Sequence, residues 1–485
     1  MESTNLLKEL RLASCIHNYK HRKDALYHLN LAYGQMLVEQ KLLKPEEFKQ
    51  IAAGLKKVHE EVVEDDFNGT DGDIHYMCEK HLVEHIDPKI ACKLHIGRSR
   101  NDMYFAIYRL SVRDAITSVI DQVLETLSVL EQKAKENIDV VIPYYTYGQP
   151  SQPGTWGHYL MTVHGLFEMD LKRLKAAYET VNQSPMGAAA GIGTAFHINR
   201  ARVAELLGFD GIIDNTFIGN SDVGYFLETV SSLAILNTTL SRVASDMEFF
   251  ATAECRLLDC EDFLCGGSSI MPQKKNAIGV EVLRSLTENW NGYVVNCFSS
   301  ASSSTLFPVQ ETYYYFQKFW ENVQVLINNL KLFDLILNHS KINKDRGYRL
   351  ALDGFTSATG MAEELTLELN EPFEVTHQVV GGMVKRLMKD NRLDVKNMTA
   401  SLLKDVSKDV LGYPVEKTDE QVQAYMDPLS SLNAKSTGGT PKVADTEALM
   451  RKALEDKKVF EAWFNAAKDQ VRLANEKVEA LADTL

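Results

Sequence analysis

Three long stretches without glycine or proline dominate the 485-residue sequence. They run through residues 98–142, 225–265 and 309–346, and each is far longer than an average helix of about 11 residues. In the second stretch, apolar residues recur every three or four positions, which predicts one continuous stripe on a helix. That stripe consists of Phe226, Val230, Leu233, Leu236, Leu240, Val243, Met247 and Phe250. A helix of about 30 residues is about 45 Å long, and three such rods most easily bury one another in a bundle.

The fold class that follows is mainly α: a long central helix bundle with smaller N- and C-terminal helical domains. We place the N-terminal helical domain in residues 1–100, the central long-helix bundle in 101–350 and the C-terminal helical domain in 351–485. Strand signals are weak and limited to two short runs, DVVIPYYTY at 139–147 and GIGTAFHI at 191–198. A helix that is apolar on more than one face usually has partners beyond its own chain, so we expect an oligomer.

Charge and composition exclude several classes of protein. The net charge of -14 and the isoelectric point near 5.5 argue against a nucleic-acid partner. No stretch approaches about 18 consecutive apolar residues, and the N-terminus lacks a signal-peptide core, so we expect no membrane segment and a cytoplasmic location. Steps of five between Cys255, Cys260 and Cys265 place neighbours on different helix faces. We therefore expect free, mostly buried thiols and no metal.

The first polar loop reads KLHIGRSRNDM, with Arg98, Ser99, Arg100 and Asn101 just before a helix. Guanidinium groups and a helix N-terminus both favour carboxylates, so the loop is a candidate anion site. The alternative is a charged turn at the helix start with Asp102 as its cap.

The second polar loop reads PYYTYGQPSQPGTWGH, at residues 143–158. Its prolines and glycines predict a rigid turn that displays Thr146, Tyr147, Gln149 and Gln152. Hydroxyl and amide groups held in this way suit substrate positioning. The alternative is a mere connector between helices.

The third polar loop reads GGSSIMPQKKN, at residues 266–276. Its two glycines permit unusual backbone conformations, and Ser268, Ser269, Lys274 and Asn276 supply polar groups. A serine beside a lysine can act as a base if the lysine and a site without water stabilise the alkoxide. The alternative is a Gly-Ser turn with solvated lysines.

This third run resembles the signature of the fumarase, aspartase and argininosuccinate lyase superfamily. Five other segments resemble motifs of the argininosuccinate lyase branch, in the same order and over essentially the whole chain. They are GDIHYMCEKHL, KLHIGRSRND, SPMGAAAGIGTAFHINR, EPFEVTHQVVGGMV and STGGTP. The Gly191-Ile-Gly193 run is then a family turn, since it lacks the third glycine and distal acid of a dinucleotide site.

The resemblance implies a fumarase/aspartase-like fold, a homotetramer whose active sites are shared among subunits, a small-molecule substrate and no cofactor. It also implies an elimination in which a base removes a proton next to a carboxylate, an aci-carboxylate forms, and fumarate and an amine or hydroxyl are released. Donors aimed at the doubly charged carboxylate would lower most of the barrier.

By position, Ser268 resembles the base, and Lys274 and Asn276 resemble the groups that hold the carboxylate of the intermediate. The resemblance assigns the remaining substrate contacts to His75, Ser99, Arg100, Asn101, Thr146, Gln149, Ser269 and Gln310. The acid that serves the leaving group is usually a histidine working with a glutamate. Here Glu281 matches the glutamate, but Tyr147 replaces the histidine.

Other departures fall on the amine side of the site. Cys15 and Tyr19 align with a serine and an aspartate that grip arginine in the family, and Val223 stands where an arginine is expected. In SSSTLFPVQETYYY only Gln310 and Glu311 match the family segment. Losing a charged contact would cost arginine roughly 1.5–3 kcal/mol, so the amine need not be arginine. Two further readings remain open: a cycloisomerase, and a catalytically silent relative of the kind found in lens crystallins.

Overall fold

A computed structural model describes residues 19–62, 74–287, 289–307, 316, 318–392 and 394–484. It is mainly helical, as predicted, and each Gly- and Pro-free stretch contains one long helix. These helices are α5 (Arg100–Glu136), α9 (Gly224–Ala251) and α12 (Phe319–Asn338). Helix α9 ends well before the stretch does, because the Thr252 hydroxyl bonds to the backbone of Phe249 and Cys255 in place of a further helical turn.

Shorter helices surround the long ones. The N-terminal region contains α1 (Tyr19–Glu39), α2 (Pro45–Glu61), α3 (Ile74–His85) and α4 (Pro88–Ala91). The middle of the chain adds α6 (Trp156–Val181), α7 (Arg200–Leu206), α8 (Thr216–Gly219), α10 (Ile278–Leu286) and α11 (Asn289–Ser302). The C-terminal region contains α13 (Lys344–Asp353), α14 (Ala358–Leu369), α15 (Phe373–Lys389), α16 (Ala400–Leu411), α17 (Asp419–Met426), α18 (Pro428–Asn433) and α19 (Val443–Thr484).

Strands are few and short in the described residues. They form three two-stranded sheets, from β1 (Val141–Thr146) with β2 (Gln149–Thr155), β3 (Gln183–Ser184) with β4 (Gly211–Ile212), and β5 (Leu258–Cys260) with β6 (Ser340–Ile342). The first and third pairs are antiparallel and the second is parallel.

The central core lies between α5, α6, α9 and α12. Every residue of the α9 stripe named above is buried, as the periodicity predicts, and all belong to one hydrophobic cluster. Phe226 packs edge-on against Phe319, and Phe167 packs in the same way against Phe333. These aromatic contacts join helices that are far apart in the sequence.

The central bundle has two distinct ends. Arg109, near the start of α5, donates to the carbonyls of Thr180 and Val181 at the end of α6, so these two helices are antiparallel. Phe250, at the end of α9, packs against Trp156 at the start of α6. One end of the bundle therefore holds the start of α5, and the other holds the end of α9 and the hairpin formed by β1 and β2.

The two strand signals have different outcomes. DVVIPYYTY contains β1, which confirms that prediction. GIGTAFHI is a loop and not a strand, because Gly191 and Gly193 have φ values of 103° and 74°, outside the extended region.

Two smaller hydrophobic clusters flank the bundle. One joins α1–α3 to the start of α5 and includes Tyr19, whose hydroxyl donates to the Val62 carbonyl. The other lies within residues 361–426. Helix α19 packs against the first cluster through Val478 and against the central core through Phe464. The division into three domains stays a prediction, and Cys15 lies outside the described residues.

None of the described helices is both long enough and apolar enough to cross a membrane. The six described cysteines are free thiols, and four of them are buried: Cys78, Cys255, Cys260 and Cys297.

Candidate active site

The first polar loop caps the longest helix of the central bundle. Ser99 is the N-cap of α5: its hydroxyl accepts from the backbone nitrogen of Asn101 at 3.3 Å. The backbone nitrogen of Ser99 donates to Asp102 at 2.9 Å, which completes a capping box. The reading of Asp102 as the cap is therefore corrected, because Asp102 occupies the third helical position. Arg100 is exposed and Asn101 is half-buried beside it.

Asp102 ties this loop to the segment SPMGAAAGIG. Its carboxylate is buried and also accepts from the backbone nitrogens of Gly187 at 3.0 Å and Ala189 at 2.9 Å. Burial raises the pKa of Asp102 to about 6, although the three backbone N–H donors and Arg98 oppose the shift. Ala189 itself has φ near 51°, an unfavourable value for a residue with a side chain. These hydrogen bonds of Asp102, here called the Asp102 clamp, therefore hold the strained backbone at Ala189 next to Ser99.

Arg98 is buried rather than offered to a ligand. Its guanidinium donates to Asn30 at 2.8 Å and lies over the Tyr33 ring. The inclusion of Arg98 among the anion-binding groups is therefore not supported by its position. Arg98 instead joins α1 to the loop that carries Ser99.

His75 lies on α3, where it borders a cavity of about 810 Å³. The cavity is also lined by Ser99 and Arg100, and by Glu79 and His95. One Glu79 oxygen lies 3.2 Å from a ring nitrogen of each histidine. Burial alone would raise the pKa of Glu79, but the two imidazoles outweigh it and hold that pKa below its usual range.

The second polar loop is the hairpin β1–β2. Thr146 pairs with Gln149, so Tyr147 and Gly148 form a two-residue turn, and both have positive φ, as a type I′ turn requires. The Tyr147 side chain is fully exposed. Thr146 and Gln149 are exposed on either side of it. The hairpin therefore presents three polar side chains outward, away from its own chain.

The base of the hairpin is fixed by the motif STGGTP. The Tyr144 hydroxyl bonds to His158 Nδ1 at 2.7 Å, and the other ring nitrogen of His158 bonds to the Gly439 carbonyl at 3.1 Å. The carbonyl can only accept, so His158 carries its proton on Nε2 and accepts from Tyr144. Burial lowers the pKa of His158, which favours this neutral form.

In the third polar loop, the signature loop 266–276, the two ends are joined by hydrogen bonds. Gly266 and Asn276 exchange two backbone hydrogen bonds, each of 2.9 Å. Inside the loop the Ser268 hydroxyl accepts from the backbone nitrogens of Ile270 at 3.3 Å and Met271 at 3.1 Å. Ser269 is exposed.

Lys274, Asn276 and Glu281 line a second cavity, of about 840 Å³, at the end of α9. Glu281 is exposed in the first turn of α10, and Lys274 is exposed in the loop. The structure thus brings the proposed lysine, asparagine and glutamate to one cavity, together with Glu248 of α9.

One chain does not bring all the predicted residues together. From Arg100 to Glu136, α5 rises about 54 Å, and the ten residues from there to Thr146 span at most about 36 Å. Arg100 and Thr146 are therefore at least about 18 Å apart in the same chain. His75, Ser99, Arg100 and Asn101 lie at one end of the bundle, and the hairpin and the signature loop lie at the other. Gln310 and Glu311 fall outside the described residues.

Comparisons with known proteins identify the family. A family model described as "Lyase" matches residues 8–292. An argininosuccinate lyase of Methanocaldococcus jannaschii is 30% identical over 419 residues, which cover 86% of this chain and 85% of that protein. The chain belongs to the argininosuccinate lyase family. It is therefore an enzyme of the carbon-nitrogen lyase class.

Solved structures place this family member in the same fold. A variant of EDDS lyase with bound fumarate superposes with a TM-score of 0.87 at 25% identity, covering 96% of this chain and 92% of that one. The 3-carboxy-cis,cis-muconate lactonizing enzyme of Pseudomonas putida shares the fold alone, with a TM-score of 0.71 at 16% identity over 91% of this chain and 95% of that one.

The sequence analysis did not predict the contacts of several residues that line or support the candidate site of this lyase. Asn30 is a lone polar residue in the apolar run LNLAYG, a signal of a buried partner. Glu79 follows His75 by four positions, the spacing of one helix face. His95 and Asp102 stand inside the quoted motif KLHIGRSRND, but their partners at 79, 187 and 189 are not apparent from spacing.

Proposed function

We propose that this lyase cleaves the carbon-nitrogen bond of an N-substituted aspartate, either argininosuccinate or a related N-succinyl amine, and releases fumarate and an amine. The observation that carries the proposal is the signature loop: Lys274 and Asn276 border one cavity with Glu281, and Ser268 lies in the same closed loop. The names of its relatives, argininosuccinate lyase and EDDS lyase with bound fumarate, support the same reaction.

The chemistry assigned to Ser268 is proton removal. Its alkoxide takes the proton from the carbon next to a carboxylate, and the electron pair moves into that carboxylate to form an aci-carboxylate. The pair then returns, the bond to nitrogen breaks, and an acid protonates the departing amine. The backbone nitrogens of Ile270 and Met271 already donate to Ser268 Oγ. Donors of this kind stabilise an oxyanion at the position of the hydroxyl.

The carboxylates of the substrate would be held by groups at both ends of the bundle. Ser99 and Asn101 lie at the N-terminus of α5, where the partial positive charge of a long helix favours anions. His75 and Arg100 border the same cavity as Ser99. Lys274 and Asn276 would hold the carboxylate that becomes doubly charged.

An active site with all these residues needs more than one copy of the chain. A separation of at least about 18 Å between the Cα atoms of Arg100 and Thr146 keeps these two side chains of one chain from contacting the same carboxylate. We therefore propose a homotetramer in which loops of neighbouring subunits meet, with Thr146, Tyr147, Gln149 and Ser269 contributed across subunit boundaries. The outward display of the hairpin supports this arrangement.

The acid in this scheme is Tyr147, assisted by Glu281. A phenol can donate the proton that the family histidine usually supplies. Since Tyr147 is fully exposed on its own chain, it would act on a substrate bound mainly by another subunit. No cofactor enters the scheme.

The test is to incubate the purified protein with fumarate and a mixture of amines, arginine included, and to search by mass spectrometry for adducts. An adduct that forms with the unaltered protein and not with Ser268→Ala establishes the reaction and identifies the amine. If no amine yields an adduct, the proposal is wrong, and a cycloisomerase or a silent relative takes its place.

A further inference from the structure

Three side chains that can bind a metal ion converge beside the first cavity. His75 and Glu79 project from successive turns of α3, four residues apart and therefore on one face. His95 comes from the end of the short 3₁₀ helix Cys92–His95. Their donor atoms all lie within 4.8 Å of one another, and no other group of this kind occurs in the described residues. The site is thus built from two rigid elements.

The spacing of the donor atoms matches tetrahedral coordination. One Glu79 oxygen is 3.2 Å from His75 Nε2 and 3.2 Å from His95 Nδ1. Bonds from a Zn²⁺ ion to nitrogen or carboxylate oxygen are about 2.0–2.1 Å, and a tetrahedron with such bonds has edges of about 3.3 Å. Two of the three edges of the group are therefore already the length that an ion between the donors requires.

Ordinary histidine-carboxylate pairs in this protein provide a comparison. His28–Glu479 and His59–Asp24 are each 2.7 Å apart, as expected for direct charge-assisted bonds. His81–Glu84, on α3 itself, is 3.2 Å apart but involves a single histidine. Length alone does not distinguish the Glu79 group. Its distinguishing feature is one carboxylate oxygen that faces two imidazole nitrogens.

The surroundings leave room for a fourth ligand. All three side chains line the cavity of about 810 Å³, which is also lined by Ser99 and Arg100. Many zinc sites are held by two imidazoles and one carboxylate, and they leave the fourth coordination position to water or substrate. Lys80 and Arg100 border the same cavity. Their charges oppose a bare cation and favour an anion as the fourth ligand.

We propose that His75, Glu79 and His95 bind one divalent transition-metal ion, Zn²⁺ or a close relative, in each chain. The ion would border the cavity into which the α5 loop opens and would hold a carboxylate or water at its fourth position, so that His75 would meet a substrate carboxylate through the ion and not directly. This inference does not rest on the proposed function, because metal affinity is measured without turnover.

The experiment uses full-length, untagged protein freed of metal by a chelator. Zn²⁺ binding is measured by calorimetry, and Co²⁺ binding by the visible absorption of tetrahedral cobalt. The test variants are His95→Ala and Glu79→Gln. The matched controls are His81→Ala and Glu84→Gln. They remove a histidine-glutamate pair of the same helix whose nitrogen and oxygen are also 3.2 Å apart. Circular dichroism verifies that each variant is folded.

The expected result is one saturable site per chain, with affinity lowered at least tenfold in both test variants and unchanged in both controls. Absence of saturable binding in the unaltered protein would overturn the proposal. So would equal binding in His95→Ala, or an equal loss in His81→Ala, since either would assign the ion to scattered surface histidines.

Discussion

The Asp102 carboxylate accepts a 2.9 Å hydrogen bond from the backbone nitrogen of Ala189. This contact joins the capping loop of α5 to a segment 87 residues later in the chain. Together with the donors at Ser99 and Gly187, it offsets the cost of burying this carboxylate next to the candidate anion-binding loop.

Asp102→Asn should weaken the contact between the capping loop of α5 and the backbone at Gly187 and Ala189. An amide has one acceptor oxygen, so its NH₂ group must face at least one of the three backbone N–H groups. We expect a loss of about 1–3 kcal/mol in unfolding free energy and a larger proportional loss of lyase turnover, measured by chemical denaturation and fumarate release. Asp121→Asn, in the middle of the same helix, removes an ion pair with Lys468 and should change neither by more than about 1 kcal/mol. Equal effects of the two substitutions would contradict the clamp.

Gly266→Ala should weaken the backbone pairing of Gly266 with Asn276, which joins the two ends of the signature loop. A methyl group there would lie 2.0 Å from Ile278 Cδ1, which is incompatible with the present packing. Because Ile278 is 43% exposed and its terminal carbon can rotate away, we expect destabilisation of at most about 1 kcal/mol, together with a loss of turnover. Gly267→Ala is the matched control for stability, because its methyl group meets nothing within 4 Å. The second substitution Ile278→Val removes the clashing carbon and should restore part of the melting temperature. Failure of this rescue would reject the steric explanation.

Tyr147→Asn should separate stability from activity. Tyr147 has φ near 52°, a conformation that costs about 1–3 kcal/mol for a bulky residue, whereas Asn-Gly is a preferred type I′ turn. We expect the variant to unfold at a higher temperature yet to lose roughly 10²–10⁴-fold in turnover, the usual contribution of an acid catalyst. Lys41→Asn relieves a similar φ of 60° away from the site and should leave turnover unchanged. Full activity in Tyr147→Phe would remove the phenol from the acid role.

Local patterns predicted the fold well. The α9 stripe and the three Gly- and Pro-free stretches are periodic features that a helix expresses directly. The end of α9 was not predictable in this way, because the Thr252 hydroxyl replaces backbone bonds without a helix-breaking residue. GIGTAFHI looked like a strand because alternation does not register the positive φ of Gly191 and Gly193.

The candidate site was predictable only in part. Motifs identified the loops, but the Asp102 clamp and the Glu79 group depend on residues that the fold, and not the spacing, brings together. The distance along α5 could have been estimated from its length, and it would have indicated that Arg100 and Thr146 cannot meet in one chain. The departure at Tyr147 was visible in the sequence, but its outward display was not.

Asp334→Asn should alter the pH dependence of stability. Asp334, on α12, is half-buried near α5; burial raises its pKa to about 7, while hydrogen bonds donated by Thr126 and Gln122 oppose the shift. Because the folded pKa exceeds the unfolded value of about 3.9, the carboxylate destabilises the fold increasingly as pH rises from about 4 to about 7. The variant should equal the unaltered protein near pH 4 and be more stable at pH 8, by at most about 4 kcal/mol. Denaturation at the two pH values measures this, and parallel profiles would contradict it.

Mixing two inactive variants should restore activity if the active sites are shared. Ser268→Ala retains Arg100, and Arg100→Ala retains Ser268. If each site takes Ser268 and Arg100 from different subunits, each of the two residues is intact in about half of the sites after random reassembly of equal amounts. About a quarter of the sites then contain both residues intact. We expect about a quarter of the unaltered fumarate release after the variants are dissociated together and reassembled. The control mixes Ser268→Ala with Lys274→Ala, whose defects lie in the same loop, and should stay inactive. No restoration in the first mixture would mean that Arg100 and Ser268 do not reach one active site from different subunits.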